Sequence, residues 1–172
     1  LSDSHNGMDV AVLRPTAVVG VGSENLVKLS RQLINSSRIT NYFRSSLFGN
    51  RPMHLVPVQM VAEALIHLIF LPNPLSKQVY IVAADSDADN NFKKVEDLLR
   101  QALGINQRKI PLLPLSQFFL KSLLRLLGRT DFSLSRYYRT DKLKNTGFQT
   151  TSSVGKAVIS FGISIKNSKL TV

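Results

Sequence analysis

The stretch that most constrains this chain is residues 8–22, MDVAVLRPTAVVGVG, an apolar run that passes through Arg14-Pro15 into a loop with two glycines. β-Branched residues dominate 10–19, and Gly20-Val21-Gly22 closes the run, which is the pattern of a buried strand entering a tight loop. Behind it a helix is expected over 24–37, with Ser23 as N-cap and Leu26, Val27, Leu29, Leu33 and Ile34 at roughly helical spacing. Only seven residues, LSDSHNG, stand in front of Met8. That is too few for the rest of a nucleotide-binding sheet, so the chain reads as the back half of a larger fold.

Further on, 48–52 reads as a turn and 53–58 as a short extended piece. A second helix is expected over 59–71, carrying Val61, Ala62, Leu65, Ile66 and Ile69 inward until Pro72-Asn73-Pro74 stops it. The run QVYIVA, 78–83, is a strand, and the polar run DSDADNN, 85–91, is a loop. A helix then runs over 93–103 to Gly104 at its C-terminal end. Strands alternating with helices predict an α/β fold with parallel pairing. At 105–128 the character changes to a proline-led, amphipathic and basic helix. Short elements follow over 137–148, with a last helix over 153–161.

A chain of 172 residues is long enough for one domain with a real core, and 44% hydrophobic content fits a globular protein. Without cysteine there are no disulfides and no thiolate metal or redox sites, which fits a cytoplasmic protein. Asp3, His5, Asn6 and Asp9 break up any signal peptide, and the longest apolar stretch, 64–74, is too short for a bilayer. The net charge of +11 is lopsided: 1–92 hold seven Lys/Arg against seven Asp/Glu, and 93–172 hold fifteen against four. A basic back half suits a phosphate-bearing ligand, an anionic membrane or nucleic acid, and equally a solvated face.

Several motifs are weaker than they look. Gly20-x-Gly22-x-x-Asn25 approaches the dinucleotide fingerprint but lacks the third glycine and the acidic residue about 20 positions on. Tyr138-x-x-x-Lys142 has the spacing that places a phenol and an ammonium on one helix face, yet two fixed positions in a basic segment arise readily by chance. His5, His54 and His67 lack ligand spacing, and His67 suits a satisfied residue of an apolar helix. Asp85, Asp87 and Asp89 resemble half of a calcium loop without its glycine or closing glutamate, so a solvated turn is expected. No catalytic or metal-ligating residue is therefore assigned. Lys121, Arg125, Arg129, Arg136, Arg139, Lys142 and Lys144, among Phe and Tyr residues, carry the rival reading of a basic membrane- or nucleic-acid-binding module.

Three segments together resemble the extended short-chain dehydrogenase/reductase family, the NAD-dependent epimerase/dehydratase group. They are VLRPTAVVG (12–20), MHLVPVQMVAEAL (53–65) and QVYIVA (78–83) with the helix after it, and the tail TDKLKNTGF (140–148) looks like the family's late Gly-Phe segment. The resemblance implies the C-terminal part of a Rossmann-type parallel sheet over 1–104, with a small, mainly helical substrate lobe and tail over 105–172. It implies a parent oxidoreductase or isomerase using NAD or NADP on a sugar nucleotide or related carbonyl or carbinol. The family's glycine-rich loop and its catalytic Tyr-x-x-x-Lys lie upstream of the Arg-Pro strand, so Tyr138 and Lys142 are not their counterparts.

By the same resemblance Pro15, Thr16, Ala17 and Val18 contact the nicotinamide end of the cofactor, and Asn25, Arg51 and His54 face the substrate. Met53 stands where sugar epimerases place an arginine on a diphosphate, and Gln59 replaces an acid of the Val-Pro-Val-Asp reductase pattern; Arg51 is the substitute phosphate partner. The expected partners are a small-molecule substrate such as a nucleotide sugar, the N-terminal half of the fold and a second copy in a homodimer. Nucleic acid is not expected. Alone, the chain is expected to be inactive; a non-catalytic relative kept as an interaction partner is the third reading.

Overall fold

Two short parallel pairings grow from one extended run in the computed structural model, which describes residues 10–72, 77–106 and 137–169. Strand β1 (Val12–Pro15) pairs in parallel with β4 (Val79–Val82), from Val12 beside Val79 to Pro15 beside Val82. Strand β2 (Ala17–Val19) pairs in parallel with β3 (Leu55–Pro57). The single strand expected over 10–19 is therefore broken at Thr16, where the run changes partner. The Thr16 N–H donates to the Val82 carbonyl at 3.0 Å, and the next amide, Ala17, donates to the His54 carbonyl at 3.0 Å.

The run is also less buried than its composition predicts, with Val12 43% and Val18 37% exposed. Each of these strands has one paired neighbour among the described residues. Parallel sheets are ordinarily covered on both faces.

Helix α1 (Glu24–Asn35) follows the two-glycine loop and buries Leu26, Leu29 and Leu33. Ser23 stands at its N-cap without a side-chain capping bond. Gly22 supplies the loop's left-handed residue, φ 85°, a conformation that side chains with a Cβ resist. Helix α2 (Arg38–Phe48) comes next, capped by Ser37, whose Oγ accepts from the Thr40 N–H at 3.2 Å. Its apolar side chains Ile39 and Phe43 point to solvent while Asn41, Ser45 and Ser46 are buried. That inversion hides it from a search for apolar periodicity.

Helix α3 (Val58–Ile69) is rotated from the phase expected: of the five residues expected inward, Val61 packs against the core and Ala62, Leu65, Ile66 and Ile69 are exposed. Met60, Ala64 and Leu68 are buried, whereas Leu65, Ile66 and Ile69 are 47%, 57% and 72% exposed. Starting directly from β3, with Pro57 as N-cap, sets the rotation. Val58 is turned outward, and the buried positions follow at Met60, Ala64 and Leu68.

Helix α4 (Phe92–Leu103) ends as its sequence predicts, with Gly104 at φ 72°, and begins at a cap the sequence reading did not single out: Asn91 Oδ1 accepts from the Lys94 N–H at 3.0 Å. The short α5 (Asp141–Lys144) and long α6 (Val154–Lys169) complete the described chain. The last helix thus runs well past the expected 161. It packs on α4, β2 and β3, and Val154, Val158 and Phe161 join Val95, Leu99 and Leu55 in one core. Each such side chain stabilises the fold by roughly 1.5–3 kcal/mol. The basic helix expected over 105–128 lies outside the described residues beyond 106.

Candidate functional site at the ends of the parallel strands

The carboxyl ends of β1 and β4 and the amino end of β3 meet, because the strands are parallel and the run breaks at Thr16. Three polar residues leave those ends: Thr16 after β1, Asp85 shortly after β4, and His54 immediately before β3. His54 Nδ1 lies 3.0 Å from Asp85 Oδ2, and the same oxygen accepts the Tyr138 N–H at 2.9 Å. The Asp85 side chain is 2% exposed and that of His54 is 24% exposed. The Tyr138 ring stands edge-on to the imidazole with centroids 5.0 Å apart. Asp85 Oδ1 and Thr16 Oγ1 are both buried without a hydrogen-bond partner.

His54 takes φ 52°, a left-handed backbone that histidine adopts more readily than most residues but still at a cost of about 1–3 kcal/mol. Asn90 holds it there. Its side chain accepts the Leu55 N–H at 2.9 Å and donates to the Leu55 carbonyl at 2.9 Å and the Ala84 carbonyl at 2.8 Å, so one buried amide joins β3 to the loop after β4. On the other side of His54, the Met53 N–H donates to the Asn90 carbonyl at 3.2 Å. The backbone is thus held on both sides of His54.

The polar loop 85–91 is therefore a hub rather than a solvated turn. Asp85 holds Tyr138. Asp87 Oδ2 accepts from the Val154 N–H at 2.9 Å at the start of α6, where a carboxylate suits the helix dipole. Its other oxygen accepts from the Asp89 N–H at 2.9 Å. The sequence signal for this role, three aspartates at alternate positions, is shared with ordinary turns, and only the fold gives the Asp85 and Asp87 carboxylates their partners.

The residues singled out from sequence are spread unevenly over this region. Pro15, Thr16, Ala17 and Val18 form the break between β1 and β2, with Pro15 and Val18 exposed. His54 joins them through the Ala17 amide. Arg51 is exposed on the loop leading to His54, where its carbonyl accepts from Phe92 N–H at 2.9 Å, and Asn25 is exposed in the first turn of α1. Sequence reasoning missed Asp85 and Asn90 as site residues.

The fingerprint-like glycines have local duties: a Cβ on Gly20 would come within 3.3 Å of Val58 Cγ1, and Gly22 serves the left-handed turn. Tyr138 and Lys142 do not share a helix face. Tyr138 precedes α5, while Lys142 Nζ lies 5.4 Å from the centroid of the Tyr80 ring. His67 is satisfied, with Nε2 2.9 Å from Thr146 Oγ1 and its ring beside Phe148. Of the basic cluster, Arg139 is within 3.4 Å of Asp141, and Lys121, Arg125, Arg129 and Arg136 lie outside the described residues.

Among the described residues no helix is long and apolar enough to cross a membrane, and no group of acidic or histidine side chains could hold a metal ion. Comparison of the chain with known family models, with curated proteins and with solved structures gave no match.

Proposed function

We propose that the chain is the C-terminal portion of an NAD(P)-dependent epimerase, dehydratase or reductase of the extended short-chain type, carrying the last strands of a Rossmann-type sheet. The observation that supports this most is the parallel β1–β4 pair whose carboxyl ends carry the Thr16 break, because open α/β sheets bind ligands outside the carboxyl ends of their strands. The polypeptide between the two strands carries helices, as a parallel crossover requires.

The residues at the break suit the nicotinamide end of NAD or NADP. Thr16 has a buried hydroxyl free of protein partners, and Pro15 and Val18 offer exposed apolar surface beside it. Bound there, the cofactor would supply hydride exchange at a carbinol or carbonyl carbon. The chain's own residues position it: Thr16 would hydrogen-bond its carboxamide, and Ala17, tied to His54, would fix the backbone against it. Gly20 and Gly22 are committed to packing and to a turn, so the phosphates would be held by residues of an N-terminal half. His54 is the substrate-facing group of this site, with Arg51 and Asn25 farther along the rim.

Amide NMR of the 172-residue chain titrated with nicotinamide mononucleotide tests the reading. The expected shifts fall on Thr16, Ala17 and Val18. Shifts centred on 20–25, or none at all, would overturn it. With NADH or NADPH and any sugar nucleotide or aldehyde, the chain alone is expected to show no turnover.

A further inference from the structure

We infer that the corner between α1 and α2 is a docking surface for an anionic phospholipid membrane, which Ile39 and Phe43 enter while Arg31 and Arg38 meet the lipid phosphates. The inference rests on these two helices and is independent of the cofactor reading. Helix α2 is turned the wrong way for a helix that meets only water: Ile39 is 69% and Phe43 58% exposed, one turn apart on one stripe, while Asn41, Ser45 and Ser46 are buried. Ile34, in the last turn of α1, is a further exposed apolar side chain at this corner.

The inversion is locked by hydrogen bonds. Asn41 Nδ2 donates to the Leu33 and Ser36 carbonyls at 3.4 Å each, Arg44 donates to Gln32 Oε1 at 2.7 Å, and Ser45 Oγ stands within hydrogen-bond reach of the buried Glu96 carboxylate. Rotating α2 to bury Ile39 and Phe43 would break these contacts and take the Ser45 hydroxyl away from a buried charge, which costs more than an exposed apolar stripe. The stripe therefore stays outward, where only something that covers it removes it from water.

Charge identifies the cover. Between Asn25 and Ala62 the chain holds five cations, Lys28, Arg31, Arg38, Arg44 and Arg51, and no acid; all seven acids of residues 1–92 lie outside that stretch. Arg38 directly precedes Ile39, Arg31 lies one turn before the end of α1, and both are exposed. Glu24, at the other end of α1, is already paired with Lys28 at 3.8 Å. Apolar side chains that protrude beside arginines suit the boundary between headgroups and acyl chains, because the arginine stems are apolar and the guanidiniums fit phosphate oxygens. A solvated polyanion such as nucleic acid would engage the arginines and leave Ile39 and Phe43 in water.

The chain has no tryptophan, so Phe43→Trp supplies a single fluorescent reporter on the stripe. On phosphatidylcholine vesicles containing phosphatidylserine its emission is expected to shift to the blue, with a response that fades as salt rises; on phosphatidylcholine alone it should not move. In the otherwise unchanged chain, Ile39→Ser with Phe43→Ser should weaken cosedimentation with the anionic vesicles by about tenfold or more, the scale for withholding two large apolar side chains. Arg31→Gln with Arg38→Gln should weaken it by about tenfold or more, the scale for two cations at an anionic surface. All four positions are exposed, so each variant should keep the fold, which circular dichroism checks.

Emission that stays put on the anionic vesicles overturns the inference, as does an equal blue shift with a DNA duplex or binding indifferent to salt and to the arginine changes. Binding that survives Ile39→Ser with Phe43→Ser but is lost with Lys121→Gln, Arg125→Gln and Arg129→Gln would give the membrane contact to those residues instead. Ile66→Ser with Ile69→Ser, on the exposed apolar face of α3, should leave binding unchanged; an equal loss there would reduce the effect to general stickiness and contradict a dedicated corner.

Discussion

Gly162 shows how one absent side chain sets the spacing of two helices. A Cβ at this position would stand 2.5 Å from the Ala102 Cβ, because α6 lies directly against α4 there. Helix propensity alone favours alanine over glycine by about 1 kcal/mol, but overpacking a close helix contact costs about 1–3 kcal/mol. Gly162→Ala should therefore destabilise the chain, read as a lower urea midpoint; a rise would show that the helices can separate freely.

Asn90 is the second decisive residue. Asn90→Ala would strand the Leu55 amide and carbonyl in a buried place, at about 1–3 kcal/mol for each group left unpaired, while the Ala84 carbonyl would keep the Asp87 N–H. Asn90→Asp should be nearly as damaging, since it turns a donor that faces two carbonyls into an acceptor. Thermal unfolding of the two variants checks this pair of expectations. Unaltered stability in Asn90→Asp would mean the amide does not bridge β3 to the loop.

At the scale of elements, the parts legible in the sequence were those whose apolar pattern matches their environment. The α4 helix announces itself by Asn91, Gly104 and a sharply one-sided apolar face, and β4 by a run of β-branched and aromatic residues. The α3 helix was legible in extent but not in rotation, because nearly every residue of VQMVAEALIHLI is apolar and the pattern leaves the buried side undetermined. The α2 helix was illegible because it buries polar groups. Ser45 Oγ stands within hydrogen-bond reach of both Glu96 Oε2 and the Asn41 carbonyl, with one proton to share between them, and Arg44 donates to Gln32 Oε1 and Asn41 Oδ1 at 2.7 Å each. Burial pushes the Arg44 guanidinium below its usual pKa, with Glu96 opposing that shift and Arg100 adding to it.

At the centre of this seam Glu96, fully buried, pairs with Arg100 at 2.9 Å on the next turn of α4. Removing one partner of a buried ion pair leaves the other charge uncompensated, so Glu96→Ala should cost about 3–5 kcal/mol. The double change Glu96→Leu with Arg100→Leu should recover much of that loss, since apolar replacement of a buried pair is often neutral or better. Urea denaturation of the single and double variants measures the difference. A double variant no better than the single one would show that the hydrogen bonds to α2, rather than charge balance, dominate.

For the whole molecule, the candidate site was only half visible in advance. The Arg-Pro run and His54 could be read from sequence, whereas Asp85 and Asn90 sit in a polar loop whose composition suits any turn. They become a site only because parallel pairing brings 16, 54 and 85 to the same end of the strands. The same topology leaves Val12, Val18 and Val79 part-exposed among the described residues.

In the function proposed above, this chain would meet only the nicotinamide end of a dinucleotide. Its most direct test compares the affinities of the purified chain for reduced nicotinamide mononucleotide and for NADH. Equal affinities are predicted, because Gly20 packs against Val58 and Gly22 serves the left-handed turn, which leaves the loop committed to the fold rather than to a pyrophosphate. Much tighter binding of NADH would place the pyrophosphate on the Gly20–Gly22 loop and contradict the account.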